Sequence, residues 1–356
     1  MDTDDHDMNP VNGRERVLVT GASGFIGGHV ARYFARQGVE VSCLVREKSD
    51  RGFIKDLPFR IITGDITVLA SLSAAFKGMD AIVHVAGKVV DWGNYDEFYK
   101  VNVEGTLNVL QAAQSQSISR VIITGSVSSY GEEDHIGLKD ETSPYNSHYP
   151  YFLDRWFPCG MNHYRDTKAL CTRKSAEFAA LHSLNVTVIE PCWVFGENEF
   201  SSGFYEYLKT AASGVALMPG SRSNNFHVIY AEDLARSYYL AYKKKLEGFQ
   251  RFIIGNRSPE NMAGIYKTFC RAAGLRTPVL IPKALSYPLG IVLEILYSVA
   301  GSKKPPVLTR GRVNMFYDNI GYATTRAQEI LGFEALVPLQ EGIARTVKWY
   351  RDNHYL

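Results

Sequence analysis

The sequence predicts an α/β fold, a doubly wound parallel sheet with a smaller, discontinuous, helix-rich C-terminal lobe. Over the first 200 residues, short apolar runs alternate with amphipathic stretches, which is the rhythm of βαβ units. Beyond residue 200 this rhythm gives way to a helix-rich stretch punctuated by glycines. The length of 356 residues exceeds one typical domain but suits a large α/β domain that carries a second lobe.

The first strand is predicted at Arg16–Thr20, and Tyr99–Ala113 and Thr167–His182 are predicted as amphipathic helices. Two late apolar runs, Phe226–Tyr230 and Phe252–Ile254, are predicted to return to the sheet. The remaining buried strands are predicted at Val39–Val45, Phe59–Ile62, Ala81–Val85, Arg120–Thr124 and Val186–Ile189.

These elements divide the chain into a tail, a sheet domain and a lobe. Residues 1–15 are polar and acidic, unlike a secretory signal, so we expect a disordered tail and no export. The sheet domain is predicted at 16–200, with returning segments at about 226–255. The lobe is predicted to comprise 201–225 and 256–356, and we expect it to bind the substrate.

Composition narrows the possible partners and the compartment. The formal net charge of +2, with interspersed charges, gives no electrostatic footprint for nucleic acid. The five cysteines show neither C-x-x-C nor paired Cys/His spacing, so we expect a reducing cytoplasm and no structural metal.

The most apolar stretch of the chain is 284–300. It is short for a membrane span and contains Pro288, Gly290 and Glu294, which disfavour a helix that crosses a bilayer. We predict a buried helix of the second lobe. The alternative is a helix lying on a membrane surface, which would make this segment a peripheral membrane contact.

A glycine-rich turn follows the first strand and opens a helix. Gly21 lets the chain leave the strand tightly, Gly24 lets backbone N–H groups approach a pyrophosphate, and Gly27 lets the helix pack close to the sheet. The spacing is G-x-x-G-x-x-G, so the match to the general fingerprint is loose. Its setting between strand and helix nevertheless indicates a dinucleotide-binding Rossmann turn. The contacts predicted here also include Ser23, Phe25 and Ile26.

A tyrosine and a lysine four residues apart lie on one helix face at Tyr164 and Lys168. The pattern alone is weak, because it recurs at Tyr205/Lys209 and at Tyr239/Lys243. Tyr164 is the one that lies between Ser126, just past one predicted strand, and Pro191, just past the next. Since the carboxyl ends of parallel strands line the ligand crevice, position selects Tyr164 and Lys168.

Together these motifs resemble the extended short-chain dehydrogenases/reductases, and the closing segments resemble the dihydroflavonol-reductase-like and 3β-hydroxysteroid-dehydrogenase-like subgroup. The resemblance implies that Tyr164 is the acid/base, that Lys168 holds the nicotinamide ribose and lowers the tyrosine pKa, and that Ser126 hydrogen-bonds the reacting carbonyl. The motifs fall in family order: the glycine turn, Gly64-Asp65, His84-Val-Ala-Gly87, Asn102-Val-Glu-Gly-Thr106, Ser126 with Tyr130, Tyr164 with Lys168, and Pro191-Cys-Trp-Val-Phe-Gly196.

The second strand ends in Arg46, where an acidic residue would bind a ribose 2′-OH. A guanidinium can pair with a 2′-phosphate, so we predict NADP, with NAD as the alternative because Glu47 follows. The resemblance implies that Asp65 and Ile66 flank the adenine. It assigns the rest of the cofactor contacts to Ala86, Gly87, Lys88, Asn102, Pro191 and Val194.

Two features depart from the family pattern. Glu190 precedes Pro191 where sugar-nucleotide members commonly have arginine or asparagine, and Ser126 and Tyr164 are 38 residues apart (164 − 126), longer than usual. The extra stretch, 145–163, is rich in aromatic residues. It is predicted either as a self-packed surface loop or as a lid that walls an apolar cavity. The candidate substrate contacts are Tyr151, Trp156, Trp193 and Arg222.

The leading functional prediction is an NAD(P)H-dependent oxidoreductase that interconverts a carbonyl and an alcohol on an apolar molecule, such as a steroid-like, flavonoid-like or β-keto substrate. A nucleotide-sugar epimerase or dehydratase is the enzymatic alternative, with Arg222 as a diphosphate contact. The dehydratase is disfavoured because Val127-Ser128-Ser129 supplies no carboxylate beside the catalytic serine. A non-catalytic nucleotide sensor is the third alternative. The resemblance also implies a homodimer.

Overall fold

The computed structural model describes residues 15–131, 137–201, 203–221 and 223–356. The strands in chain order are β1 (Arg16–Thr20), β2 (Glu40–Val45), β3 (Arg60–Thr63), β4 (Ala81–His84), β5 (Arg120–Thr124), β6 (Asn185–Pro191), β7 (Trp193–Phe195), β8 (Leu217–Pro219), β9 (Asn225–Phe226), β10 (Val228–Tyr230), β11 (Phe249–Ile254), β12 (Glu260–Asn261) and β13 (Val279–Ile281).

Helices flank these strands and make up about half of the chain after residue 256. In chain order they are α1 (Phe25–Arg36), α2 (Leu69–Ala75), α3 (Tyr95–Phe98), α4 (Gly105–Ser115), α5 (Gly160–His182), α6 (Phe204–Ala212), α7 (Ala231–Lys244), α8 (Met262–Ala272), α9 (Lys283–Val299), α10 (Arg310–Met315) and α11 (Leu339–Asp352). Short 3₁₀ turns occur at Gly52–Ile54 and Val127–Tyr130, and π-helical turns occur at Tyr99–Glu104 and Ala327–Leu331.

Seven strands form the central sheet in the order β3-β2-β1-β4-β5-β6-β11, and every neighbouring pair is parallel. The chain reverses its direction of winding between β1 and β4, where Thr20 and His84 are register partners at the strand ends. The predicted doubly wound Rossmann sheet is confirmed. Ligands of such sheets bind at this switch point, outside the carboxyl ends of the strands.

The two faces of the sheet bury separate hydrophobic clusters because neighbouring strand residues point to opposite sides. In β1, Val17 and Val19 join the larger cluster, whereas Leu18 joins the smaller one. The larger cluster continues into the C-terminal stretch through side chains such as Phe204 and Phe269. The region after residue 200 therefore shares its core with one face of the sheet.

The prediction for Phe252–Ile254 is confirmed, since β11 pairs with β6 at the sheet edge. The prediction that Phe226–Tyr230 returns to the central sheet is wrong. Strands β9 and β10 pair instead with β12 and β7 in small separate sheets. The buried His227 interrupts the run, because its Nε2 lies 2.8 Å from the Asn256 carbonyl oxygen and its Nδ1 accepts from the Tyr322 N–H.

The boundaries of the helices also differ from the prediction. Helix α5 begins at Gly160, seven residues before the predicted Thr167, so the last part of the aromatic stretch 145–163 is helical. The predicted tail 1–15 lies outside the described residues except for Glu15. That side chain accepts a hydrogen bond from Arg120 Nη2 at 3.1 Å.

The prediction that the helix at 284–300 is buried is wrong. Helix α9 forms there, but the residues that it buries are Ser286, Gly290 and Glu294, while Leu285, Leu289, Val292 and Leu296 are exposed. The absent side chain of Gly290 lets the Thr309 backbone approach closely, since a Cβ there would lie 3.3 Å from the Thr309 carbonyl carbon. Within the described ranges, every helix is too short or too polar to cross a bilayer.

Candidate active site

The glycine turn contains two glycines that packing requires and one that it does not. Gly21 has φ +68°, and a Cβ there would lie 2.7 Å from the Ala86 nitrogen. At Gly27 a Cβ would lie 2.2 Å from the Gly21 carbonyl oxygen. Gly24 is exposed, and among the described residues beyond its chain neighbours only that same oxygen lies within 4 Å of a Cβ there, at 3.3 Å. The middle glycine therefore borders open space in front of α1.

The N-terminus of α1 is suited to an anionic group. Its N-cap residue is Gly24, which offers no side-chain acceptor, and the first turn contains no acidic residue. The backbone N–H groups around Phe25 and Ile26 thus face the open space beside Gly24, with Ser23 half-buried next to them. A helix N-terminus of this kind binds phosphate, so the turn fits the pyrophosphate of a dinucleotide.

Hydrogen bonds join the ends of β1 and β4 at the switch point. Thr20 Oγ1 accepts from the N–H groups of Val85 and Ala86, both at 3.2 Å, and lies 2.8 Å from His84 Nδ1. The other ring nitrogen of His84, Nε2, lies 3.0 Å from Thr106 Oγ1. Burial, assisted by the Lys168 ammonium, lowers the pKa of His84 to about 3. His84 is therefore neutral and acts as a structural link.

The residues expected at the adenine end lie beyond β2 and β3. Arg46 is exposed directly after β2. One carboxylate oxygen of Asp65 is already hydrogen-bonded within the loop. Its Oδ1 accepts from both the backbone N–H and the hydroxyl of Thr67, each at 2.8 Å. Ile66 is buried against Gly105, where a Cβ would lie 2.9 Å from Ile66 Cδ1.

Asn102 connects the loop after β4 to helix α5 through side-chain hydrogen bonds. Its Oδ1 accepts from the Lys88 backbone N–H at 2.7 Å, and its Nδ2 donates to the Lys88 carbonyl and to Thr167 Oγ1, both at 3.2 Å. Asn102 lies in the π-helical turn, a feature that often marks functional sites. It therefore positions Gly87 and Lys88, whose ammonium pairs with Glu97 at 2.6 Å. The sequence pattern gave no signal for this bracing role.

The structure brings Ser126, Tyr164 and Lys168 together. Ser126 follows β5 and caps the 3₁₀ turn, with its Oγ 2.7 Å from Ser128 Oγ, and it lies close enough to Tyr164 to act on the pKa of the phenol. Lys168 lies one turn after Tyr164 on α5 and donates from Nζ to the Thr124 carbonyl at the end of β5. The three side chains thus meet at the carboxyl end of β5.

Burial shifts the pKa values of Tyr164 and Lys168 in opposite directions. It raises the pKa of Tyr164 above its ordinary value, which the hydrogen bond from Ser126 partly offsets. It lowers the pKa of Lys168. The expectation that Lys168 lowers the pKa of Tyr164 is therefore wrong for the protein alone, and the phenol keeps its proton at neutral pH.

A buried carboxylate that sequence reasoning noted only as a departure lies beneath the trio. Glu190 is fully buried at the end of β6, and its Oε2 accepts from Tyr130 Oη at 2.7 Å while its Oε1 accepts from Tyr145. Arg251 Nη1 lies 3.9 Å from Oε1, and burial raises the pKa of Glu190. The two tyrosines and Arg251 come from distant segments, so no local pattern links them.

The candidate substrate residues lie in different surroundings. Tyr151 is buried, with Arg165 above its ring at 5.8 Å, whereas Trp156 is 69% exposed. Trp193 is half-buried in β7 and packs on Phe226 at 5.3 Å. Pro191 and Val194, expected beside the nicotinamide, are buried at the ends of β6 and in β7, and Arg222 lies outside the described residues.

Comparison with known proteins identifies the family. The model of the NAD dependent epimerase/dehydratase family matches residues 17–255, which is more than half of the chain. The chain belongs to this family. The predicted resemblance to the extended short-chain dehydrogenases/reductases, and with it an NAD(P)-dependent oxidoreductase, is confirmed.

Among curated relatives, 2-alkyl-3-oxoalkanoate reductase of Shewanella oneidensis is 25% identical over 92% of this chain and 84% of its own length. The 3beta-hydroxysteroid-dehydrogenase/decarboxylase isoform 1 of Arabidopsis thaliana is 25% identical over 93% of this chain and 78% of its own length. Among solved structures, UDP-glucose 4-epimerase of Thermotoga maritima aligns with a TM-score of 0.75 at 19% identity, covering 95% of this chain and 99% of its own. That likeness shows the shared fold.

Substitutions at Gly27 and Gly24 of the turn are predicted to affect different properties, namely stability and cofactor binding. Gly27→Ala places a Cβ against a backbone carbonyl that cannot move aside, so we expect a loss of unfolding free energy of about 2 kcal/mol or more, despite the higher helix propensity of alanine. Gly24→Ala should cost less than about 1 kcal/mol but weaken NADPH binding about 10-fold, because its methyl group enters the phosphate space.

Urea unfolding and a fluorescence titration with NADPH measure the two effects. Each variant serves as the control for the other. Equal stability of Gly27→Ala and wild type, or unchanged NADPH affinity of Gly24→Ala, would contradict this account of the turn.

Proposed function

We propose that the protein interconverts a ketone and a secondary alcohol on an apolar small molecule, with Tyr164 as the acid/base. The observation that carries this proposal is the meeting of Ser126, Tyr164 and Lys168 at the carboxyl end of β5, next to the switch point of the sheet. When bound, the nicotinamide cofactor supplies the hydride that the substrate carbon accepts.

The three side chains divide the proton chemistry between them. Ser126 Oγ, which lies 2.7 Å from Ser128 Oγ and close to Tyr164, donates to the substrate carbonyl oxygen, where negative charge develops. Tyr164 gives its phenolic proton to that oxygen as the alcohol forms. Lys168, one helical turn from Tyr164 on α5, would favour the phenolate that remains, since an opposite charge favours the ionised form. In the oxidative direction the same proton moves back.

An apolar substrate fits two further observations. The relatives named above are a reductase of 2-alkyl-3-oxoalkanoates and a dehydrogenase of 3β-hydroxysteroids, both of which carry large apolar portions. At position 190, where sugar-nucleotide members commonly have arginine or asparagine, this chain has a glutamate that two tyrosines engage. Nucleotide-sugar epimerisation, the alternative, would produce no net change in the redox state of the cofactor.

Removal of the phenolic proton tests the role of Tyr164. Tyr164→Phe should lower kcat with a 3-oxosteroid or a 2-alkyl-3-oxoalkanoate by about 100- to 10,000-fold, with little change in NADPH affinity. Tyr239→Phe is the matched control, because it removes a hydroxyl from another tyrosine–lysine pair. Equal turnover by Tyr164→Phe and the control would contradict the assignment.

We propose NADP as the preferred cofactor because Arg46 is exposed directly after β2 and free to reach a 2′-phosphate. Arg46→Ala should raise KM for NADPH about 10-fold while KM for NADH stays unchanged. Arg60→Ala is the control, because Arg60 is exposed at the amino-terminal end of the neighbouring strand β3, away from the carboxyl ends of the strands. A wild-type enzyme that prefers NADH, or equal effects of Arg46→Ala on both cofactors, would show that NAD is used.

A further inference from the structure

Helix α9 is packed with its polar stripe inward and its apolar stripe outward. Its buried positions are Ser286, Gly290 and Glu294, four residues apart along one side of the helix. On the other side, Leu285, Leu289, Val292 and Leu296 are each at least half exposed. Helices on the surface of a globular protein normally show the reverse arrangement.

A second set of exposed apolar side chains lies beside α9. Phe152, Trp156 and Phe157 are all exposed and belong to the segment that precedes α5. The Phe152 N–H lies 3.4 Å from the hydroxyl of Tyr287, which connects this segment directly to α9. We refer to Leu285, Leu289, Val292, Leu296, Phe152, Trp156 and Phe157 together as the outer face.

A buried ion pair holds the two parts of the outer face in place. Arg310 Nε bonds Glu294 on the inner side of α9. The same guanidinium donates from Nη1 to the Phe152 carbonyl at 2.5 Å and from Nη2 to the Phe157 carbonyl at 2.6 Å. The buried ion pair thus holds α9 and the segment of Phe152 and Phe157 in fixed positions with their apolar side chains exposed. The exposed apolar surface is therefore a consequence of packing.

The exposed charges that the two segments of the outer face contribute are positive, while the exposed Glu97 of α3 interacts with Lys303. Arg155, Lys283, Lys303 and Lys304 are exposed in segments 149–163 and 282–309. The acidic side chains of these segments are Glu294, paired as described, and Asp154, whose Oδ1 accepts from the Cys159 N–H at 2.8 Å. A two-fold copy of this chain would bring these cations together, whereas anionic lipid headgroups would neutralise them.

We propose that the outer face docks on the surface of an anionic lipid bilayer, with α9 lying in the plane of the interface. The leucines and aromatic side chains enter the boundary between headgroups and acyl chains, and the basic rim contacts the headgroups. The segment that carries Phe152 and Trp156 leads directly into α5, which bears Tyr164, so the docked face adjoins the catalytic helix. This inference goes beyond the proposed function and holds for any substrate.

Flotation with vesicles tests the proposal on the full-length protein. Wild type should float with vesicles of phosphatidylcholine that contain about 30% phosphatidylglycerol. Its binding to vesicles of pure phosphatidylcholine should be at least about 10-fold weaker. Leu289→Gln/Leu296→Gln should reduce binding at least 10-fold. Leu181→Gln/Leu336→Gln is the matched control, because these two leucines are even more exposed but lie elsewhere on the surface. Lys283→Gln/Lys304→Gln should reduce binding to anionic vesicles alone.

Two controls keep the result interpretable. Because the substituted leucines are exposed, the urea midpoint and NADPH affinity of the variants should equal those of wild type, which separates docking from folding and from the catalytic site. Wild type that stays in solution with anionic vesicles would overturn the proposal. So would sedimentation equilibrium showing a wild-type dimer that Leu289→Gln/Leu296→Gln converts to monomers, since a second copy would then cover the outer face.

Discussion

The contact between the start of α1 and the Gly21 carbonyl fixes where the functional groups of this protein can lie. A Cβ at Gly27 would come within 2.2 Å of that oxygen, so helix and strand meet at a distance that only glycine permits. The tight turn places the N-terminus of α1 at the end of β1, and Thr20 ties that end to the loop after β4. Because β4 and β5 are parallel neighbours, the carboxyl end of β5, and with it Ser126, lies at the same edge of the sheet.

Around this level the protein buries several ionisable groups and satisfies each with a specific partner. His84 is held neutral between two threonines, Lys168 is bonded to the Thr124 carbonyl, and Glu190 accepts from two tyrosines. Removing one partner of a buried polar group is costly, so these bonds make the ends of β4, β5 and β6 rigid. Rigid strand ends hold Ser126 and Tyr164 in contact, which positioned proton transfer requires.

The sheet, the glycine turn and the proximity of Ser126, Tyr164 and Lys168 could be predicted from the sequence because each depends on local signals and on the order of strands. Other features depend on contacts between distant segments. Hydropathy revealed that α9 is apolar but not that Ser286, Gly290 and Glu294 form its inner stripe, which Arg310 and the Thr309 backbone determine. The bracing by Asn102 and the bonds of Glu190 likewise arise only when the fold brings remote residues together.

The central claim is that the site at the end of β5 transfers a net hydride to a carbonyl carbon. Incubation of the protein with NADPH that carries deuterium at both C4 positions, and with either a 3-oxosteroid or a 2-alkyl-3-oxoalkanoate, followed by mass spectrometry of the product, tests it directly. The account predicts one deuterium on the new alcohol carbon and one NADP⁺ formed for each product molecule. A product without deuterium, or rearrangement of a sugar nucleotide with no net NADP⁺, would contradict it.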